Sequence, residues 1–412
     1  MKKTTILILI LAFIHLSLIM PVCLASNDIR EGEYEEFHPD GAISARRTYK
    51  KGVLNGSSHT YYENGILMSE GTYRNDKLHG TYRSFYENSQ LFFEKEYTKG
   101  QLHGESKEYY KNGALKSIET FKNDILNGKS KYYFENGQLQ FRMHFHKGEL
   151  HGPSEEFYPD GKKKNIAQYR NGLWHSVVKE FSEEGDLEAA WHYINGKRSG
   201  KSKVFYPNGK IKWKAFFKND EMEGTSLAYN ENHQIIMRAN FKDGKLNGVV
   251  EDYYDNGKIK SITNYKNEIK HGLNQEFLPS GQKKLERRYK EGKEIGVSKE
   301  YNEDGSIWVT RTYYNENKDG VLREFYKTGE IKKEWKLVKG LIHAVSRSYY
   351  RTGELMSEER YVEGKKHGIS RLYYQSGFLA YEDQYLDGVR VSRKTYHDQA
   401  ADSNPHSSPQ KK

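Results

Sequence analysis

The sequence predicts an all-β protein: an elongated, twisted antiparallel β-meander built from about fifteen 24-residue β-hairpin repeats. Three observations carry this. Glycine recurs every 24 residues from Gly32 to Gly368, at thirteen of fifteen steps and with no insertion or deletion, the exceptions being Ser176 and Ala344. An aromatic residue stands five places after each of those fifteen positions, from Phe37 to Tyr373. The stretches between are short, rich in Tyr, Phe and Thr, and punctuated by Asn-Gly or Asp-Gly, which fits strands and turns and not helices.

The chain opens with Lys2 and Lys3, an apolar run from Ile6 to Met20 interrupted by His15 and Ser17, then Pro21 and Cys23-Leu24-Ala25. A charged start, a short apolar middle and small residues at a cut site describe a secretory signal. Residues 1–25 are therefore read as a signal peptide cleaved after Ala25, which makes the mature chain exported: periplasmic, cell-surface or secreted. The apolar run is shorter than the roughly 20 residues of a membrane span, so no transmembrane span is expected after cleavage. Two variants would keep the chain at a membrane. One is an uncleaved N-terminal segment. The other is a lipid anchor on Cys23, although Val22 is larger than the residue such a signal wants. Cys23 is the only cysteine. Cleavage after Ala25 leaves no disulfide, and stability must come from repetition and packing.

Residues 26–391 are the repeat array. Within it, Tyr61-Tyr62-Glu63-Asn64-Gly65-Ile66-Leu67 reads as a hairpin tip. Glu63 to Gly65 form a three-residue loop, with glycine last where the left-handed conformation is required. That loop pairs Tyr61 with Leu67, and paired residues share a face. Leu67 and Tyr73 are six apart on one strand, so strict alternation places them on one face too. A second loop centred near His79 would pair Tyr73 with Phe85. This register puts Tyr61, Leu67, Tyr73 and Phe85 on one side of a sheet. About thirty strands at roughly 4.8 Å each would span about 140 Å. Each repeat touches only its neighbours, so stability is expected to be nearly additive along the array. Residues 392–412, with Ser, Pro, Asn, Gln and Lys, are expected to be a flexible polar tail.

Segments such as His79-Gly80-Thr81-Tyr82-Arg83-Ser84-Phe85-Tyr86-Glu87-Asn88 and Tyr109-Tyr110-Lys111-Asn112-Gly113-Ala114-Leu115 resemble the MORN-repeat variant of bacterial proteins labelled YwqK-family antitoxins. The resemblance covers about residues 32 to 391. It implies a scaffold or interaction module, since MORN repeats are linked to protein and lipid-headgroup binding. The antitoxin label fits poorly with an export signal, because an exported chain would not neutralise a cytosolic toxin.

The chain carries a formal charge of +10; without Lys2 and Lys3 the remainder is +8, with both signs interspersed. This is the pattern of a solvated surface, compatible with anionic partners. Histidine precedes the repeat glycine at His79, His103, His151, His175, His271, His343 and His367. Successive copies lie two strands apart, about 10 Å, too far to share one metal ion, and Asn55, Asn127 and Asn247 occupy the same place. A turn role is expected, with no metal and no cofactor. Ser, His and acidic residues sit at repeated positions, whereas a catalytic site needs one unique preorganised constellation, so the chain is read as non-enzymatic. Arg46-Arg47-Thr48-Tyr49 and Lys162-Lys163-Lys164 interleave basic residues with or beside aromatics. Solvation explains those charges, and export makes nucleic acid a poor partner.

The array departs from its own rule around residues 163 to 213. Lys163 replaces the aliphatic, Ser176 replaces glycine, and Trp174, Trp191 and Trp213 appear. Trp191 and Trp213 share a face two strands apart, about 10 Å, where they could straddle a flat ligand or peptide strand. Trp174, Trp191 and Trp213 are therefore the candidate partner-binding residues. The expected function is a scaffold for protein–protein or cell-envelope interaction. Its partner would be a protein, an anionic envelope polymer or a lipid headgroup. The alternatives are a structural spacer or surface element, and an immunity protein against an exported toxin.

Overall fold

The computed structural model describes residues 29–315 and 317–397. The expected signal at 1–25 and the end of the tail lie outside them. The described residues form 39 strands and no helix, and every pairing is antiparallel. The chain divides into two units, Met1–Ile125 and Leu126–Lys412. The first is a meander of strands from Gly32–Phe37 to Leu115–Lys122; the second runs from Gly128–Tyr133 to Val389–Thr395.

The first loop of the repeat is as the sequence predicts. Tyr61 faces Leu67. The Tyr62 N–H donates to the Ile66 carbonyl at 2.9 Å, and the Gly65 N–H donates back to the Tyr62 carbonyl at 2.9 Å. Gly65 holds φ +76. The Asn64 carboxamide accepts the Ile66 N–H at 3.1 Å, which fixes the loop from within.

The second turn is displaced from its expected position near His79. It is a two-residue turn at Asn75-Asp76, both left-handed at φ 49 and 61, closing Arg74 on Lys77 and Tyr73 on Leu78. A two-residue turn of this hand matches the natural twist of a hairpin. His79 and Gly80 then act as a bulge, after which Glu70 faces Arg83 and Ser69 faces Ser84. Tyr73 therefore does not pair with Phe85.

The face assignment changes as well. Thr60 faces Ser69 while Tyr61 faces Leu67, so Met68 is an extra residue on its strand. Such a bulge breaks the alternation and sends Leu67 and Tyr73 to opposite sides. Tyr61, Leu67 and Phe85 lie on one face; Tyr73 and Leu78 lie on the other.

The first of these faces carries ladders of ion pairs beside its aromatics. Examples are Arg83–Glu94 at 2.7 Å, Arg323–Glu334 at 2.7 Å and Arg371–Glu382 at 2.7 Å. The opposite face has a centre of small residues. Ser130, Ser202, Ser226, Ser298 and Ser346 are 2 % exposed or less, and Ala45, Ala167, Ala189, Ala215 and Ala239 are buried with them. Tyrosine and leucine flank this centre and stay half-buried. In a single sheet the large side chains thus act as a cover and the small ones as the covered floor.

Successive repeats are tied at both margins. The Tyr62 hydroxyl donates to the Phe85 carbonyl at 2.7 Å, and Tyr86, Tyr158, Tyr206, Tyr254, Tyr326 and Tyr350 repeat this 23-residue bond at 2.8–2.9 Å. At the other margin the Asp76 N–H donates to the Leu54 carbonyl at 2.9 Å, and its carboxylate accepts the Leu54 N–H at 2.7 Å. The last strand, Val389–Thr395, pairs Tyr381 with Thr395, so ordered pairing continues past the expected boundary at 391 and into the start of the expected tail.

Candidate interaction surface

Trp174, Trp191 and Trp213 all lie in the second unit, on the face with the serine–alanine centre. Trp174 is on the two-residue strand after the turn and faces Tyr169. Its indole N–H donates to the Tyr169 hydroxyl at 2.7 Å, and its ring meets Tyr193 edge-on at 4.9 Å. Burial holds the Tyr169 and Tyr193 phenols above their ordinary range. Trp191 faces Val178, and Trp213 faces both Val204 and Ala228.

The Trp191 and Trp213 rings are 6.3 Å apart, closer than the strand spacing of about 10 Å suggests, because the side chains lean together. Trp213 continues onto Phe217 at 6.0 Å. The Arg198 guanidinium covers this edge, 5.6 Å from the Trp191 ring and 4.6 Å from Phe217. Small neighbours make room for the two indoles: Ala189, Ser202 and Ala215 are all buried. The result is one patch in which the half-buried Trp191 and Trp213 rings lie beside the buried Phe217, with a cation at its edge. Such a patch can bury a side chain of a partner; Arg198 itself pairs with Asp220 at 3.8 Å.

The other sequence candidates occupy local roles. Arg46 pairs with Glu35 at 2.9 Å and Arg47 pairs with Glu36. Lys162, Lys163 and Lys164 pair with Asp160, Glu155 and Glu156 at 3.1, 3.2 and 2.7 Å. The His103 ring meets Asn123 at 3.1 Å and the His367 ring meets Asp387 at 3.2 Å, both at the following turn. His79, His151 and His175 bury an Nδ1 that has no partner. Among the described residues, no three His, Cys, Asp or Glu side chains gather into a group fit to hold a metal ion.

Sequence reasoning passed over the tyrosine next to the loop, exemplified by Tyr62, whose hydroxyl ties one repeat to the next. Its signal was present, because an aromatic doublet at 61–62 recurs at 109–110, 253–254 and 349–350. A residue adjacent to one on the ion-pair face points to the opposite side, so the second aromatic needed its own role.

No helix among the described residues is long and apolar enough to cross a membrane. No curated protein matches the chain. Among solved structures, a crystal structure of TcdB2-TccC3 aligns with 91% of this chain at 11% identity and a TM-score of 0.16. One of TcdB2-TccC3-Cdc42 aligns with 88% at 12% identity and a TM-score of 0.15. The Photorhabdus luminescens Tc holotoxin pore aligns with 87% at 9% identity and a TM-score of 0.16. The chain spans only 21–25% of those chains, and likeness at this level carries no argument. The MORN repeat variant, by contrast, matches at residues 30–51, 54–75, 78–99, 102–123, 126–147, 150–171, 198–219 and 246–267. The gap at 172–197 contains Trp174 and Trp191. Eight matches in the same 24-residue register, on hairpins that share one loop and one turn, place the chain among the MORN-variant repeat proteins.

Proposed function

We propose that this protein is a non-enzymatic, exported repeat scaffold that docks a protein partner on the Trp174, Trp191 and Trp213 surface. The observation that carries the reading is the contact of Trp191 with Trp213, edged by Arg198, in a region where the repeat rule relaxes. Elsewhere much of the same face is floored by buried serine and alanine, and where a surface repeats it gives a specific partner no unique address. Tryptophan and arginine are the residues that most often dominate binding energy. The charged start and apolar run of residues 1–25 support export.

The test is capture of partners from envelope extract with the mature chain, Trp191→Ala/Trp213→Ala, and Trp308→Ala/Trp335→Ala, each with a thermal melt. Loss of a captured protein by the first pair alone, with the folded fraction retained, is the expected result. If the first pair melts earlier but its folded fraction captures normally, the tryptophans only cover the sheet. Truncating a buried Trp costs about 3–5 kcal/mol, so the melt is needed to separate the two roles. Equal capture by all three proteins would favour a structural spacer.

A further inference from the structure

The serine–alanine face holds a second departure, distinct from the tryptophans. Around residues 254–289 the floor opens into a groove of about 360 Å³, a volume typical of small-ligand sites. The positions filled by indole at Trp191 and Trp213 carry Thr263 and Ser261 here, and both line the groove. Asn274 and Arg287, which face each other across the strands, line its centre. Tyr254 and Tyr289 stand in its walls.

Asn274 replaces the serine found at this position in most repeats. It is 9 % exposed. Its Oδ1 accepts the Asn264 N–H at 2.9 Å, which orients the amide and leaves Nδ2 as a donor; that Nδ2 is buried and unpartnered. The Arg287 Nε is also buried without a hydrogen bond, although the side chain is 34 % exposed and Tyr289 hydrogen-bonds elsewhere on its guanidinium. Its nearest carboxylate, Glu294, is 4.0 Å away, and the facing Glu294 oxygen already accepts from the Ser298 hydroxyl. Two buried donors that lack acceptors are costly unless a ligand supplies the acceptors. The lining adds Lys260, Lys270 and Lys284 against the single acid Glu276. The net charge of the lining is therefore positive.

We infer that this groove binds a sugar acid, its carboxylate received by Asn274 Nδ2 and Arg287 Nε and its ring held between aromatic walls. A carboxylate offers two oxygens to two donors. The groove has room for a pyranose ring; Lys260 and Lys270, which lie over the Tyr254 and Tyr289 rings at 5.9 and 5.5 Å, would move off those faces to admit the apolar C–H edges of a sugar. The inference is independent of the tryptophan surface and of the partner proposed for it.

The test is calorimetric titration of the full chain at fixed ionic strength with D-glucuronate, acetate, methyl β-D-glucoside and inorganic phosphate. Glucuronate should bind saturably and more tightly than the other three. Asn274→Ser and Arg287→Thr restore residues that the repeat already uses at those positions, so the fold should survive. Each should weaken glucuronate binding about tenfold or more, whereas Arg311→Thr, one repeat on and outside the groove, should leave it unchanged. Unchanged affinity in a folded Asn274→Ser protein would overturn the site. Acetate or phosphate binding as tightly as glucuronate would overturn the assignment of the ligand.

Discussion

Ala344 and Ser176 stand where most repeats have glycine, yet both keep the left-handed backbone, at φ 64 and 69. At these two positions the conformation is kept whatever the side chain, and a Cβ there costs about 1–2 kcal/mol. Ala344→Gly should stabilise its repeat by about 0.5–1 kcal/mol, the relief of strain being partly offset by the greater freedom of unfolded glycine. Slower amide exchange over residues 344–349 would register it; unchanged or faster exchange would contradict it. Ser89 and His233 make the same point at the loop, with φ 63 and 65. His233 gains a compensating stack on Tyr229 at 4.7 Å. At this scale the loop was legible: the glycine that closes it, exemplified by Gly65 at φ 76, marked the left-handed position. The sequence misled where alternation was assumed to be strict. Met68 looks like an ordinary strand residue, but as the extra residue of a bulge it reverses the side on which Tyr73 lies. The Asn75-Asp76 turn did carry a signal, since Asn171-Gly172 and Asn195-Gly196 occupy the same register.

At the scale of the element, the hydroxyl ties and the last strand carry most of what can be measured. Tyr206 donates to the Tyr229 carbonyl at 2.8 Å. Tyr206→Phe removes this bond and keeps the ring, so a local loss of about 0.5–1.5 kcal/mol is expected. Phe134 already occupies the equivalent position, which shows that the array accommodates such a change. A loss spread evenly over distant repeats would contradict nearest-neighbour behaviour. The strand Val389–Thr395 is exposed along its whole length; beside its backbone pairing with Leu379–Leu386 it is tied by Arg393, whose guanidinium donates to both Asp383 oxygens at 2.6 and 2.7 Å. Asp383 is buried. Bonds from Arg393 hold its carboxyl below the usual range, against the opposing effect of burial. A depressed folded-state pKa contributes stability above the ordinary carboxylate range, and that contribution is lost as pH falls through the folded value. Acidification should therefore release residues 389–395 ahead of the strands before them, and Arg393→Ala should release them already at neutral pH. Proton exchange or limited proteolysis at the C-terminal end, followed from pH 7 to pH 3, reads both outcomes. The candidate surface was half legible at this scale. The tryptophans and their shared face could be read from parity, but the lean that brings Trp191 to 6.3 Å from Trp213 depends on small neighbours at Ala189 and Ala215.

At the scale of the whole molecule, the proposed export determines where the protein is tested. N-terminal sequencing of the protein made in its host should begin near Ser26; recovery from the cytosol with Met1 intact would contradict export. The chain lacks a cysteine after Cys23, so its resistance to unfolding should be indifferent to thiol reductants. That expectation suits a protein held by many equal local terms and by no single cross-link.

The tyrosine ties between repeats end on backbone carbonyls. The Tyr62 hydroxyl reaches the carbonyl of Phe85, and the Tyr86 hydroxyl that of Tyr109. A carbonyl is the same whichever residue bears it, so these ties are blind to the identity of the copy that follows. Ion pairs such as Arg83–Glu70 and Arg142–Glu155 also cross between repeats and are not. Genetic duplication or loss of one whole period would therefore leave the tyrosine ties chemically intact and change only the side-chain match at one joint, and copy number becomes a heritable ruler that a single recombination event can alter.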